Sequence, residues 1–214
     1  MNNSYLDSIK KGQSETVAFI PSESEIEVLL ETISALSNTK GGYIYIGVNN
    51  KGKIVGVNPV GIKDEISKVV STHFKSLISF NLDLCYENHK SFCVLKIPEA
   101  INKPLFYFKD LKKVSFFRNK TDNIKVFNIL GQIWSAKKKM NNQYRNDYDR
   151  DELSKDELSI LASTPKEEVI TFSKLHSLVG ISVTDFERSL VHLVLTGKIK
   201  YVLNKKNITF TREN

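Results

Sequence analysis

The segment that most restricts the fold covers residues 37–57 and reads SNTKGGYIYIGVNNKGKIVGV. A helical apolar pattern leads into it, and Gly41 and Gly42 are typical of a helix end. The residues YIYIGV read as a strand, NNKG as a turn, and KIVGV as a returning strand. A helix that leads directly into a hairpin predicts an α/β fold in which the helix covers one face of a sheet.

The glycines of this segment do not match a nucleotide-binding loop. Gly42 and Gly47 have the spacing of a P-loop, but Val48 and Asn49 stand where that loop needs Lys and Ser or Thr. A dinucleotide fingerprint requires a helix directly after the glycines, and a turn follows here instead. We therefore expect the glycines to end a helix and to form a hairpin turn, and we expect no nucleotide cofactor.

The flanking sequence alternates helix and strand patterns. The first helix has capping-box spacing at Ser22 and Glu25, followed by apolar residues every three or four positions. Residues 64–78 and 124–139 repeat the helical period, and residues 80–86 alternate apolar and polar side chains as a strand does. The order predicts a mixed sheet with flanking helices in an α/β (α+β) domain.

The composition is that of a globular protein whose core needs no disulfide bond or metal ion for stability. No apolar run approaches the roughly 20 residues that span a bilayer, and the first residues lack the apolar core of a signal peptide. We therefore expect a cytoplasmic protein without membrane contact, in which Cys85 and Cys93 stay reduced. The four histidines are scattered without ligand spacing, which predicts no metal site and no catalytic histidine.

The charge of +7 is unevenly distributed along the chain. Its excess of Lys and Arg lies before residue 151, whereas residues 151–214 carry equal numbers of basic and acidic residues. Residues 96–125 hold eight Lys and Arg against three Asp and Glu, interleaved with aromatics. Such a segment suits phosphates and unpaired bases, although a strand pair with inward aromatics and solvated lysines explains the same composition more simply.

The composition changes again near residue 140. The stretch MNNQYRNDYDRD is polar and nearly free of aliphatic residues, so we place a linker at 140–152 between domains at 1–139 and 153–214. The last segment has capping-box spacing at Ser154 and Glu157, then two further helix patterns and a hairpin pattern. Three helices and a hairpin in about 60 residues predict a small C-terminal winged helix-turn-helix domain.

The third helix of that domain carries the candidates for base contact. Thr184, Arg188 and His192 follow at intervals of four residues and are expected to share an outward face. Lys205 and Lys206 lie at the predicted hairpin tip, where they could hold phosphates. A winged helix that contacts protein is nearly as well supported, because this domain has no net charge.

The order of these signals resembles the Schlafen-type AlbA-like domain over about residues 12–135. The resemblance rests on ISALSNTKGGYIYIGVNNKGKIVGV, on the pair Lys103–Pro104 and on Arg118 in VSFFRNKT. It implies an α/β domain with affinity for nucleic acid. Bacterial domains of this kind are often followed by a winged helix and described as transcriptional regulators.

Some members of this family are nucleases, and the resemblance allows their acidic positions to be compared. Those enzymes carry two acids in the first strand and a third after the IGV strand, which bind a divalent metal. The matching positions here are Gln13, Ala18 and Asn49. Hard cations need charged oxygen ligands, so we expect neither a metal nor catalysis at this site.

The sequence thus favours a protein that binds DNA or RNA and regulates transcription without catalysis. A homodimer would suit a regulator, although no heptad or long apolar seam indicates one. Two alternatives stay open: a metal-dependent nuclease that uses Glu15 in a rearranged site, and an oligomeric module that contacts protein. The residues expected to contact nucleic acid are Lys40, Lys51, Lys53, Lys103, Lys112, Lys113, Arg118, Lys120, Thr184, Arg188, His192, Lys205 and Lys206.

Overall fold

The structure is a computed structural model that describes residues 3–22, 25–75, 80–141 and 152–212. Contacts divide the chain into two compact units, Met1–Val126 and Phe127–Asn214.

The first unit begins with a helix and continues in alternating elements. Its helices are α1 (Asn3–Lys11), α2 (Ile26–Ser37) and α3 (Ile62–His73). Its strands are β1 (Val17–Ile20), β2 (Gly42–Ile46), β3 (Asn81–Glu87), β4 (Lys90–Ile97), β5 (Tyr107–Lys109), β6 (Lys112–Val114), β7 (Phe116–Asn119) and β8 (Asp122–Lys125). The predicted mixed α/β class is therefore confirmed.

Four strands form the central sheet in the order β1-β2-β4-β3. Strand β1 runs parallel to β2, with Val17 opposite Tyr43, and α2 makes the crossover between them. Strand β4 is antiparallel to both β2 and β3. The strands β5 and β6, and likewise β7 and β8, form separate antiparallel hairpins.

Side chains on both faces of this sheet are buried, each against different helices. On one face, Ile44 and Leu95 pack with Leu30 of α2 and Ile66 of α3. On the other face, Tyr45 and Phe92 pack with Ile9 of α1. Because α1 covers the second face, the chain before β1 belongs to the core, although the sequence pattern gave it no role.

The segment 37–57 forms a helix end and a strand, but not a regular hairpin. Gly41 has a φ of +69°, and a Cβ on Gly42 would lie 2.1 Å from the Thr16 carbonyl oxygen. These glycines therefore allow close approach of backbones as well as ending the helix. The predicted returning strand at 53–57 is reduced to one bridge between Val48 and Ile54, because Val57 turns away to bond Ser91 of β4.

The second unit consists of four helices and a three-stranded sheet in the part that is described. Its helices are α4 (Asn128–Asn141), α5 (Lys155–Ser163), α6 (Phe172–Val179) and α7 (Val183–Leu195). Its strands are β9 (Ile170–Thr171), β10 (Ile199–Leu203) and β11 (Ile208–Arg212), in the order β10-β11-β9. The capping box of Ser154 and Glu157 is confirmed, whereas α2 begins after Glu25 without a side-chain cap.

The domain bounds predicted from composition, 1–139, 140–152 and 153–214, stay a prediction. Most of the predicted linker lies outside the described residues. Helix α4 groups by contacts with the second unit, since Trp134 donates to Tyr201 of β10 at 3.3 Å. None of the described helices is long and apolar enough to cross a membrane.

Candidate functional site

Three lysines from three different elements line one cavity of about 400 Å³ in the first unit. They are Lys10 of α1, Lys53 in the segment after β2, and Lys90 at the start of β4. Apolar side chains and turn residues complete the lining: Leu6, Ile9, Ile54, Gly52, Glu87 and Asn88. We call this feature the basic cavity and define it by its three lysines.

The sheet topology explains why these elements meet. Strand β4 is antiparallel to β2, with Ile46 opposite Cys93, so the start of β4 lies where β2 ends. The turn between β3 and β4 lies at that same end, with Asn88 and His89 at positive φ. Helix α1 ends near the same end of the sheet, because Ile9 in its last turn packs against Val48, just after β2, and Phe92 of β4. The fold thus brings distant parts of the sequence to one place.

The side chain of Asn49 organises the segment that carries Lys51 and Lys53. Its Oδ1 atom accepts hydrogen bonds from the backbone N–H groups of Lys51 and Lys53, each at 3.0 Å. The backbone N–H of Asn49 in turn donates to the Lys53 carbonyl oxygen at 3.0 Å. Asparagine commonly closes turns in this way, and both lysines are left exposed.

The basic cavity has an excess of positive charge. Among the described residues that line it, Glu87 is the one acid against three lysines. Lys90 donates to the Ile54 carbonyl oxygen at 3.3 Å, and Lys10 lies 3.7 Å from Asp7 in an exposed pair. Exposed pairs of this kind contribute little to stability, so both ammonium groups are available to an anion at little cost.

The three positions that are acidic in nuclease relatives hold neutral side chains with other contacts. Gln13 accepts from the Phe19 backbone N–H at 3.1 Å and donates to Asn50 at 3.4 Å. Ala18 is 2% exposed within β1, and Asn49 closes the turn described above. No group of three His, Cys, Asp or Glu side chains that could hold a metal occurs among the described residues.

Two predicted lysines lie at the other end of the sheet, each in an ion pair. Lys40, next to the start of β2, bonds Glu15 at 2.6 Å, and this bond and the carboxylate charge raise the pKa of its ammonium. Lys103 bonds Glu99 at 2.7 Å and the Thr39 carbonyl oxygen at 3.0 Å. These lysines are therefore separate from the basic cavity.

Arg118 does not lie on the surface. It is 4% exposed, and its guanidinium donates to the carbonyl oxygens of Ser14 at 3.3 Å and Val17 at 3.1 Å, and to Asn123 at 2.8 Å. Burial lowers the pKa of this guanidinium, partly offset by the charge of Asp122. This placement argues against the predicted phosphate contact. It indicates instead that Arg118 holds β1 in position through Ser14 and Val17.

The remaining predicted lysines of the first unit occupy exposed hairpins. Lys112 and Lys113 belong to β6, and the Lys113 ammonium lies 4.7 Å from the centre of the Phe106 ring. Lys120 lies in the turn between β7 and β8 with a φ of +55°. These side chains face solvent, as a contact with phosphate requires.

In the second unit the predicted face of α7 is divided. Thr184 is exposed, and Arg188 is exposed with a 3.3 Å ion pair to Asp185. His192 is instead buried, with its Nδ1 2.6 Å from an oxygen of buried Glu157 in α5. The prediction that all three residues share an outward face is wrong, because α5 packs on the later part of α7.

Helix α7 also makes contacts with α4 that an unobstructed DNA-recognition helix would not make. Glu187 accepts from Asn128 at 3.0 Å and from Gln132 at 2.7 Å, both on α4. Lys205 and Lys206 are exposed at the tip between β10 and β11, as predicted, and the Asn204 side chain closes that tip by accepting from the Lys206 backbone.

Sequence reasoning missed Lys10 and Lys90, two of the three lysines of the basic cavity. Lys10 lies in a short helix that was not predicted, and Lys90 follows the turn after the strand predicted at residues 80–86. The turn residues Asn88 and His89 carried a usable signal, because a two-residue turn would place Lys90 at the end of the sheet. No local signal placed Lys10 beside it.

Two solved structures resemble part of this chain. The solution NMR structure of the N-terminal domain of a RecG-related protein from Nitrosomonas europaea, named for an ATP-dependent DNA helicase, is 20% identical. The match covers 58% of this chain and 93% of that domain, with a TM-score of 0.43. The crystal structure of the DIP2311 protein from Corynebacterium diphtheriae is 14% identical, with a TM-score of 0.44. That match covers 54% of this chain and a quarter of the other, 25%.

The comparison with protein families identifies the family of the chain. No curated protein matches the chain. A family model described as Schlafen, AlbA_2 matches residues 8–127, which is more than half of the chain and includes all three lysines of the basic cavity. The protein therefore belongs to the Schlafen AlbA_2 family.

Proposed function

We propose that the protein binds nucleic acid through the basic cavity and acts in transcriptional regulation without metal-dependent catalysis. The observation that carries this proposal is the convergence of Lys10, Lys53 and Lys90 on one cavity. Membership of the Schlafen AlbA_2 family relates the chain to nucleic acids in general, and the basic cavity supplies a place for the contact.

The chemistry of the cavity suits a phosphate backbone. Lysine ammonium groups neutralise phosphates as point charges and release the counterions that surround nucleic acid. Three such groups with one neighbouring carboxylate favour an anion, and the exposed Lys51 adds a fourth cation on the same turn. This contact is independent of base sequence and positions the protein on its target.

The second unit is proposed to be a winged helix that contributes sequence preference. Its element order, α5, β9, α6, α7, β10 and β11, and its antiparallel sheet support this assignment. Arg188 and the tip lysines Lys205 and Lys206 are its proposed contacts. Because Glu187 is bonded to α4, the proposed base contacts come from the first turns of α7 only.

Absence of catalysis is proposed from the chemistry of the three nuclease positions. Amide and methyl groups do not replace carboxylates as ligands of a divalent cation. The amides of Gln13 and Asn49 are also engaged with the backbone of Phe19 and Lys53. A cytoplasmic location and a homodimer stay predictions from the sequence.

The proposal is tested by binding across a salt series. Duplex DNA, single-stranded DNA and RNA are titrated with the wild type and with the double variant Lys53→Ala/Lys90→Ala. The slope of log K against log salt is expected to fall by about two in the variant, about one for each lost phosphate contact. The matched control is Lys68→Ala, which removes an exposed lysine of α3 outside the basic cavity.

Each outcome decides between the candidate functions. No binding by the wild type at low salt would reject nucleic-acid binding and favour a module that contacts protein. Equal slopes for the double variant and the control would reject the basic cavity as the site. Cleavage of any of these nucleic acids by the pure protein with added Mn²⁺ would reject the non-catalytic assignment.

A further inference from the structure

The hairpin of β5 and β6 has a tip that is unfavourable for folding. Asp110 and Leu111 form its two-residue turn, with φ angles of +47° and +65°. Such turns strongly prefer glycine at the second position, because a side chain at positive φ is strained. Leucine occupies that position here and is 95% exposed, so no packing in the described part of the chain compensates for the strain.

The charges beside this turn add a second conflict. Lys109 and Lys112 are directly opposite each other in the register of β5 and β6. Like charges at such a position destabilise a hairpin, although Glu27 of α2 pairs with Lys109. A neighbouring cation, Lys113, follows in the next pair. An exposed leucine at positive φ between lysines is unfavourable for folding, and such unfavourable features are concentrated at functional sites.

We propose that this hairpin inserts Leu111 between base pairs of a nucleic-acid duplex while Lys112 and Lys113 hold the adjacent phosphates. The inference rests on the proposed nucleic-acid binding and specifies the element that contacts the bases. Proteins that deform duplexes commonly use one apolar side chain as a wedge that partly unstacks a base step. Leucine cannot stack on an unpaired base as an aromatic ring does, which favours a duplex over a single strand.

Contacts with α2 fix the position of the hairpin. Ser34 of α2 bonds the Leu105 carbonyl oxygen at 2.9 Å, and Glu27, nearer the start of α2, pairs with Lys109. The segment that leads into the hairpin therefore runs back along α2 toward its beginning. Helix α2 begins after β1 ends, and β1 is parallel to β2. The tip thus lies toward the same end of the sheet as the basic cavity but on the opposite face, since Tyr107 packs with α2 whereas the cavity lies beside Ile9 of α1.

Aromatic and cation–π contacts lie at the base of the hairpin. The rings of Phe106 and Phe108 are 5.6 Å apart in an edge-to-face arrangement. The Lys113 ammonium lies 4.7 Å from the Phe106 ring, and that of Lys75 lies 4.7 Å from the Phe108 ring. Exposed cation–π contacts are weak, so Lys113 can leave the ring for a phosphate, and Leu111 at the tip is exposed.

A membrane surface is the other partner that an apolar tip between lysines could contact. One leucine buries far fewer methylene groups than a myristoyl chain, which by itself gives only marginal membrane binding. A base step, in contrast, needs only a single side chain to open it. The observations therefore favour the duplex.

The test uses two short DNA duplexes that differ at one central step. One carries a flexible TA step and the other a stiff A-tract, and each has 2-aminopurine beside the step to report unstacking. Wild type is expected to raise the 2-aminopurine fluorescence on the TA duplex. Leu111→Gly, which creates the favoured Asp-Gly turn and therefore folds, is expected to lose this signal and to bind about tenfold more weakly, the scale of burying one leucine.

Two further variants separate the wedge from general effects. Ile101→Ala removes another 95% exposed apolar side chain outside the hairpin and is expected to behave as the wild type. Leu111→Met keeps an apolar wedge and is expected to restore the signal. The salt slope is expected to be unchanged in Leu111→Gly, because no charge is lost.

The outcomes distinguish this inference from the proposed function. Equal affinity and fluorescence of Leu111→Gly and wild type would overturn the wedge, while a reduced salt slope in the Lys53→Ala/Lys90→Ala variant would leave nucleic-acid binding intact. Leucine-dependent binding to phosphatidylserine vesicles without a signal on DNA would also overturn it. Wild-type protein that binds neither duplex would overturn both.

Discussion

Asn49 fixes the backbone of Lys53 at the edge of the basic cavity, because its Oδ1 atom accepts the Lys53 backbone hydrogen bond at 3.0 Å. The family resemblance matches Asn49 to a position that is acidic in nuclease members. The amide here closes a turn that presents lysines.

Substitutions of Asn49 separate the shape of this turn from its charge. Asn49→Ala removes two hydrogen bonds to Lys51 and Lys53, and we expect a loss of about 1 kcal/mol in the free energy of unfolding. Asn49→Asp keeps an acceptor at the same place but adds a negative charge beside the lysines, so we expect unchanged stability and weaker binding. Urea unfolding and nucleic-acid titration measure the two effects.

Cleavage assays complete that comparison. Asn49→Asp is expected to stay inactive with Mn²⁺, because Gln13 and Ala18 still supply no carboxylate. Activity in this single variant would show that the site needs only one acid, and our account of the missing charge would be wrong.

Arg118 is expected to act on stability and not on binding. Arg118→Met removes the guanidinium from the carbonyl oxygens of Ser14 and Val17. The Val17 oxygen keeps the Ser14 backbone N–H as a donor, so we expect a loss of about 2 kcal/mol in the first unit. Arg118→Lys should rescue little, since an ammonium cannot reproduce the fork of the guanidinium. Far-ultraviolet circular dichroism during urea unfolding measures the loss.

The binding assay provides the control for that variant. At temperatures where Arg118→Met is folded, its salt slope for nucleic acid should equal that of the wild type. A slope reduced by about one would assign Arg118 to a phosphate contact and would reject the structural role.

These residues also show how far the sequence could predict the site. The pattern of apolar residues and glycines was sufficient for the mixed α/β class, because helix and strand periods are local properties. The burial of Arg118 was not predictable in this way, since its partners Ser14 and Val17 lie about 100 positions earlier. A basic residue in an aromatic strand has the same local pattern whether its guanidinium is buried or exposed.

The basic cavity was only partly predictable for the same reason. Lys53 follows a recognisable turn, but Lys10 joins it only because α1 packs on the sheet through Ile9. In the second unit, the spacing of Arg188 and His192 correctly follows the helical period. It could not reveal that α5 covers His192, which depends on packing between helices.

The buried pair of Glu157 and His192 predicts a dependence of stability on acid. Burial by itself would raise the pKa of Glu157, but the hydrogen bond from the Ser154 backbone and the charge of His192 outweigh it, and the pKa is lowered. A carboxyl group with a lowered pKa stabilises the fold above its unfolded pKa of about 4.3. This stability is lost as the pH falls through the lower, folded pKa.

Trp134 makes the prediction measurable. It is the one tryptophan of the chain and lies in α4 of the second unit, so its fluorescence reports unfolding of that unit. We expect the urea midpoint of wild type to fall steeply below about pH 4. Glu157→Gln should be less stable at neutral pH, and its urea midpoint should change less as the pH is lowered. Identical dependence of the urea midpoint on pH in both proteins would contradict the role of Glu157.

Asn38 is expected to be a sensitive buried polar residue of the first unit. Its buried amide donates to the carbonyl oxygens of Leu105 and Phe116, both at 2.9 Å, and accepts from the Leu105 backbone N–H at 2.7 Å. It thereby joins the end of α2 to two later segments, one of which leads into the β5–β6 hairpin. Asn38→Ala removes these bonds and leaves the Leu105 backbone N–H without its acceptor, while the Leu105 carbonyl oxygen keeps the Ser34 hydroxyl. We therefore expect a loss of about 2 kcal/mol in the free energy of unfolding.

A matched substitution on the same turn of chain tests whether this effect is specific. Thr39→Ser keeps the hydroxyl that accepts from the Arg118 backbone N–H at 2.8 Å and is expected to be nearly neutral. Hydrogen exchange should show that Asn38→Ala selectively exposes the amides of β5 and β7, because their anchoring segments lose their tether to α2. Uniform loss of protection across the sheet would instead indicate that Asn38 acts on the whole unit and not on these two segments.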